Sequence, residues 1–152
     1  MRRTRFDDWA CPIARTTDLL GDWWTPLVLR EAFAGRRRFE DIQSTLGIPR
    51  AVLSARLERL VDEGVLTTRP YQEHPPRHEY VLTPKGRALW DVIAALFRWG
   101  SDWAFEGEPP IVLVDRETGA EVAPLVVDEH TGEALDPRKL RIRANPRAEL
   151  PA

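Results

Sequence analysis

Apolar side chains fall at helical intervals along the first hundred residues of the chain, with one interruption, and then lose that rhythm. From Pro12 to Leu20, the positions Ile13, Thr16, Leu19 and Leu20 share one helical spacing. "GDWW" breaks the pattern. Thr25 followed by Pro26 predicts an N-cap with proline in the first turn, where its missing N–H costs nothing. "PLVLREAFAG" then reads as a short apolar helix that Gly35 is placed to end. After "RRRF", Phe39, Ile42 and Leu46 mark a second short helix. "LGIP" is a tight turn, and Pro49 opens "PRAVLSARLERLVDEG", where Leu53, Leu57 and Leu60 form a single narrow stripe ended by Gly64.

Two short helices across a turn of this length form either an ordinary helical hairpin or a helix-turn-helix. The interruption that follows favours the second. "VLTTRPY" and "HEYVLT" have β-branched and aromatic character, and "QEHPPR" lies between them, so a β-hairpin with a proline-stiffened tip is predicted. Thr83 caps a new helix with Pro84 in its first turn. A helix-turn-helix followed at once by a basic hairpin is the winged-helix order. The expected fold is therefore mainly α with a small β-wing.

The last helix is expected to run long, with Leu89, Val92, Leu96, Trp99 and Trp103 spaced alternately three and four apart. Ile93, Phe97 and Gly100 widen this seam beyond what a small core covers, which predicts a homodimer. Past Glu106 the composition changes. "VDRETGAEVAP" (114–124) returns as "VDEHTGEALDP" (127–137), each with Gly in a turn, and two small β-hairpins are expected. The predicted organisation is a domain over residues 1–105 and a short β-rich extension over 106–152.

Charge changes this picture only when it is divided. The net value of −2 argues against nucleic acid, but residues 1–105 hold 16 basic and 14 acidic side chains while 106–152 hold 6 and 10. One cysteine, Cys11, excludes an internal disulfide. No stretch has the length of a membrane helix, and the charged start "MRRTRFDDWACP" lacks a secretory core, so a cytoplasmic protein is expected. Catalysis finds no support: there is no glycine-rich phosphate loop, and His74, His78 and His130 have no nucleophile or paired carboxylate at a recognisable spacing.

With the leucine stripe inward, steps of about 100° place Ala51, Ala55, Glu58 and Arg59 away from the core. Small residues at Ala51 and Ala55 would let the helix enter a groove about 12 Å wide, with Arg50 and Ser54 near its leading end in reach of bases. Arg59 and Arg56 could as easily meet phosphate or solvent. Arg69, His74 and Arg77 of the hairpin, with Arg36, Arg37 and Arg38 ahead of the second helix, are the expected backbone contacts, which position without reading sequence.

Together, "CPIARTTDLLGDWWTPLVLREAF", "LSARLERLVDEGVL" and "PPRHEYVLTPKGRAL" resemble the HxlR-type winged-helix transcriptional regulators, relatives of the MarR group, over about residues 9–105. The resemblance implies a homodimer on a pseudo-palindromic double-stranded DNA operator, repressing or activating nearby genes, with the first and last helices of the domain at the dimer interface. It also implies a thiol sensor in some members, and Cys11 occupies the matching place. Arg2, Arg3, Arg5 and Arg15 could stabilise its thiolate. Trp23, Trp24, Trp90, Trp99, Trp103 and Phe97 could instead wall a site for a small aromatic effector.

Some relatives extend into a cysteine-bearing ribbon; here Thr118-Gly119 and "DEHTG" stand where its cysteines would be. Without thiolates, His130 and carboxylates are a poor tetrahedral set, and no metal or other cofactor is expected. A winged-helix module that binds protein and not DNA is the rival reading.

Cys11→Ser is expected to leave DNA binding intact. If the thiol senses, the variant no longer lets go of DNA under a mild oxidant in a mobility-shift titration; oxidant-driven release unchanged from wild type would end the sensor reading.

Overall fold

The computed structural model describes Arg5, Phe6 and residues 8–143 and 145–147. Arg2 and Arg3, expected near Cys11, lie outside the described residues. The elements run α1 (Pro12–Leu20), α2 (Trp24–Phe33), α3 (Phe39–Leu46), α4 (Arg50–Asp62), β1 (Leu66–Gln72), β2 (Arg77–Leu82), α5 (Pro84–Ala88) and α6 (Trp90–Trp103), with a 3₁₀ turn at Pro137–Lys139. They form two compact units, Met1–Trp90 and Asp91–Ala152.

The core of the first unit is assembled from α2, α3, α4 and the start of β1. Val28, Leu29, Ile42, Ile48, Leu53, Leu57, Leu60, Val65 and Leu66 are buried. Each large aliphatic side chain so buried contributes about 1.5–3 kcal/mol. The leucine stripe of α4 faces inward along its whole length, as its spacing requires. Gly47, at φ 63, makes the turn between α3 and α4.

Helix α4 ends in a Schellman motif. The amide of Gly64, at φ 68, donates to the Val61 carbonyl and that of Val65 to the Leu60 carbonyl, both at 2.9 Å. The chain is thereby turned straight into β1.

Strands β1 and β2 pair antiparallel, with Leu66 opposite Leu82 and Arg69 opposite Glu79; the register slips between Pro70 and Gln72. Pro70 has no N–H to give a ladder, which suits an edge strand. On its other side β2 is met by the chain entering α3: the Tyr80 amide donates to the Arg37 carbonyl at 2.7 Å, and Arg38 bridges to Glu79. Hairpin and helix-turn-helix are thus one hydrogen-bonded piece.

Thr83 locks the far end of the wing. Its Oγ1 accepts from the Gly86 amide at 3.0 Å and caps α5, while its hydroxyl donates to the Gly64 carbonyl at 2.7 Å. Gly86 is pressed against the residue leading into β1 so closely that a Cβ there would overlap the Val65 carbonyl oxygen.

Three local expectations are corrected. The side chain that satisfies the start of α2 is that of Asp22, one residue ahead of the N-cap position at Trp23, and not that of Thr25: its Oδ1 accepts the amides of Trp24 and Thr25 at 2.8 and 2.9 Å, and Thr25 lies inside the helix with its hydroxyl on Oδ2. Pro26 is tolerated because the amides of the first turn need no helical acceptor. The single long last helix is broken at Leu89, whose amide reaches only three residues back, to the Gly86 carbonyl at 3.1 Å. In α1 the apolar pattern misleads as well. Ile13 is exposed, and the buried side chain of that helix is Asp18.

In the second unit the repeated segments fold alike. Asp115 Oδ1 accepts the amides of Glu117 and Thr118, and Asp128 Oδ1 those of His130 and Thr131. Gly119 and Gly132, at φ 70 and 72, complete the two turns. A single bridge closes each, Val114 with Glu121 and Val127 with Ala134. The Thr118 amide and hydroxyl, then the Glu117 amide, hold the Asp115 carboxyl below the usual carboxylate range.

Replacing glycine by alanine inside a helix ordinarily gains about 1 kcal/mol. Gly86→Ala is expected to do the reverse, losing about 1–3 kcal/mol, because the new methyl must push α5 off the Val65 carbonyl. Urea unfolding reads the difference; a midpoint that rises would show that α5 can lift away freely.

Candidate nucleic-acid interface

The side of α4 opposite its leucines is open: Arg50, Ala51 and Ala55 are exposed. Arg50, the first residue of α4, holds its guanidinium carbon 4.7 Å from the ring centre of Phe39, the first residue of α3. That stacking keeps a long cation at the leading end of the helix in a restricted set of positions. Ser54 donates its hydroxyl to Glu58 one turn on, at 3.0 Å, and keeps only acceptor capacity for a base.

The other two arginines of α4 point the opposite way. Arg59, expected on the DNA face, donates Nη2 to the Asp18 carboxylate at 2.7 Å and to the Asp18 carbonyl at 2.8 Å. Asp18 is 4% exposed, and a carboxylate so far out of water requires a cation. Arg56 lies 3.1 Å from Asp22 Oδ1, a distance for an ion pair though without the alignment of a hydrogen bond. Burial by itself pushes the Asp22 carboxyl up; the Thr25 hydroxyl, the Thr25 and Trp24 amides and the Arg56 charge together outweigh it and hold the group below its usual value. Arg59 is thereby a tether between α1 and α4.

The wing and the chain before α3 supply the remaining predicted contacts, and they divide in two. Arg69 is joined to Glu79 across the hairpin, Nε to Oε1 at 2.7 Å, and Arg36 lies 2.8 Å from the buried Glu31. Arg37, His74 and Arg77 are exposed, and their side chains form no ion pair among the described residues. Arg38 stacks its guanidinium over Tyr71 at 4.4 Å. The crease between α4 and the wing is not uniformly basic. Burial, then the charges of Glu58 and Glu40, push the Tyr80 hydroxyl's pKa up.

The remaining candidates separate similarly. Cys11 stands half-buried at the N-cap of α1, and Arg15 gives its Nε to the Trp9 carbonyl at 2.6 Å. Leu89 lines a cavity of about 400 Å³ with Leu19, Val65, Arg15 and Lys85. On α6, Leu96, Trp99 and Trp103 are 51%, 65% and 74% exposed. No tryptophan lines that cavity or the smaller one beside Phe97 and Ile111, and Trp23 is 87% exposed. Among the described residues no group of three or more His, Cys, Asp or Glu is placed to hold a metal ion, and no helix is long and apolar enough to cross a membrane.

Sequence reasoning missed Asp18 and Asp22 as anchors and read Thr83 only as a cap. Of the two missed, only Asp22 carried a local signal, an acidic residue just ahead of a helix start.

This geometry can be set beside known proteins. The model of HxlR-like helix-turn-helix proteins matches residues 19–108. The uncharacterized HTH-type transcriptional regulator Rv3095 of Mycobacterium tuberculosis is 41% identical over 135 residues, 88% of this chain and 85% of that protein. The crystal structure of PA1607, a candidate transcription factor, superposes with a TM-score of 0.84 at 37% identity, covering 93% of this chain and all of that one. The redox regulator HypR in its reduced form gives 0.57 at 27% identity, covering 60% of this chain and 92% of its own.

Arg59→Gln and Asp18→Asn are each expected to cost about 1–3 kcal/mol of stability, since either change removes the charge-assisted bond at a buried carboxylate. The double variant should lose clearly less than the sum. DNA affinity is expected to fall in Arg59→Gln with no change in its salt dependence. A shallower dependence, by about one counterion, would mean that Arg59 leaves Asp18 to hold a phosphate.

Proposed function

Because this chain belongs to the HxlR-like helix-turn-helix family and is a transcriptional regulator with a helix-turn-helix DNA-binding domain, we propose that two copies of it bind a pseudo-palindromic operator and repress the adjacent genes. The observation that carries this reading is the division of α4, with leucines wholly buried on one side and Arg50, Ala51 and Ala55 clear on the other. Such a helix fits a major groove without steric obstruction. Arg50 reads a base, and Ser54 accepts from one. Arg37, His74 and Arg77 grip phosphates on either side and set the register. Arg38, riding on Tyr71, joins them.

Pairing is supported by α6. Leu96, Trp99 and Trp103 recur at helical spacing and stand in solvent, and a second α6 would cover them, with Val92 extending the contact. Two recognition helices then meet half-sites one helical turn apart. The protein works on the chromosome, hence in the cytoplasm.

Control by Cys11 is the second reading. The thiol heads α1, the helix whose Asp18 tethers α4, so oxidation there acts on the recognition helix through the Asp18–Arg59 pair. Support comes also from HypR, a redox regulator.

One titration tests the division of labour. DNA from beside the protein's own gene is compared with a scrambled duplex of equal length. Arg50→Ala is expected to lose about 1–3 kcal/mol on the operator and little on the scramble. Arg77→Ala should weaken both alike and lower the salt slope by about one. Binding to neither duplex by the wild type would put a protein partner in place of DNA.

A further inference from the structure

The extension carries its charge in two blocks. Residues 106–136 hold nine acidic side chains and one basic, Arg116, whereas residues 137–147 hold five basic ones and none acidic. Arg138 is neutralised at once: its Nε and Nη2 donate to the Asp136 carboxylate at 3.0 Å, which holds that carboxyl below its usual range. Lys139, Arg141 and Arg143 are exposed, and no side-chain hydrogen bond or ion pair engages them among the described residues.

The acidic block does not take up these cations, although it is tethered to them in the same chain. Its aspartates are occupied: Asp115, Asp128 and Asp136 each accept backbone amides of their own turns.

The spacing of the three cations is regular. Leu140 is extended, at φ −108 and ψ 150, and neither helix nor turn follows before Arg143. Residues flanking an extended one share a side about 6.6 Å apart, which sets Lys139 beside Arg141, and Arg143 follows two residues on. Leu140 and Ile142, between them, are 55% and 91% exposed. An uncovered row of evenly spaced cations suits a partner that offers a row of anions, and a phosphate backbone is such a partner.

We propose that Lys139, Arg141 and Arg143 form a second DNA contact, an arm that grips phosphates beside the operator without reading bases. The inference rests on the DNA-binding reading above. It gives the extension a task separate from that of the helix-turn-helix.

The test changes all three residues together, Lys139→Gln, Arg141→Gln and Arg143→Gln, in the full chain. Fluorescence anisotropy follows binding to the upstream and scrambled duplexes over a range of salt, and gel filtration follows the assembly state. Each arm engaged should contribute about 2.7 to the log–log salt slope, so the wild type's advantage over the variant grows about 40-fold on going from roughly 200 to 50 mM salt. The advantage is expected on both duplexes equally, with the assembly state unchanged.

An unchanged slope on DNA that the wild type binds overturns the arm and leaves the regulator standing. A variant that elutes with altered mass overturns it differently, making the strip a contact between protein chains. Failure of the wild type to bind either duplex removes both readings together.

Discussion

A carboxylate taken out of water must find a cation, and Asp18 finds Arg59 across forty-one residues of sequence. Together with the contact between Asp22 and Arg56, this pair ties the second half of α4 to α1 and to the head of α2. The leucine stripe fixes which side of α4 faces the core. The ion pairs fix where along α1 and α2 it sits. Between them the leading half of α4 is held out like a bracketed rod, with Arg50 at its tip. Thr83 does the corresponding work at the other end, joining the wing, the close of α4 and the start of α5 through one hydroxyl.

What was legible in the sequence was what is local. Leu53, Leu57 and Leu60 announce a buried face because three leucines at helical spacing have few other uses, and Gly35, Gly47 and Gly64 mark ends because their backbone conformations are left-handed. Thr83-Pro84 was read correctly because a cap and its proline are local signals too, and the wing was read from the strand-like character of its two arms with prolines between them. Charges were less legible. Arg50, Arg56 and Arg59 look alike in one helix, yet the first stacks on Phe39 and the other two turn inward to aspartates that are remote in sequence. Nothing in the periodicity of α1 could show that Asp18 would be buried while Ile13 is exposed. The break at Leu89 depends on Gly86 meeting Val65, a contact between segments that no window of sequence contains.

The extension builds one turn twice. Both copies of Asp-x-x-Thr-Gly draw the chain round by letting an aspartate accept amides two and three residues ahead, with glycine taking the left-handed position. The two turns are consequently self-sufficient, each closed by its own bridge.

The inward direction of Arg56 and Arg59 has a kinetic meaning. A helix that reads bases with a single outward arginine releases few counterions when it lies on the wrong sequence, so it dwells there briefly. On the function proposed above, retention on random DNA passes to parts of the chain that do not interrogate bases, and the reading helix is free to sample one register after the next. Discrimination then rests with Arg50, the one cation of α4 left outward.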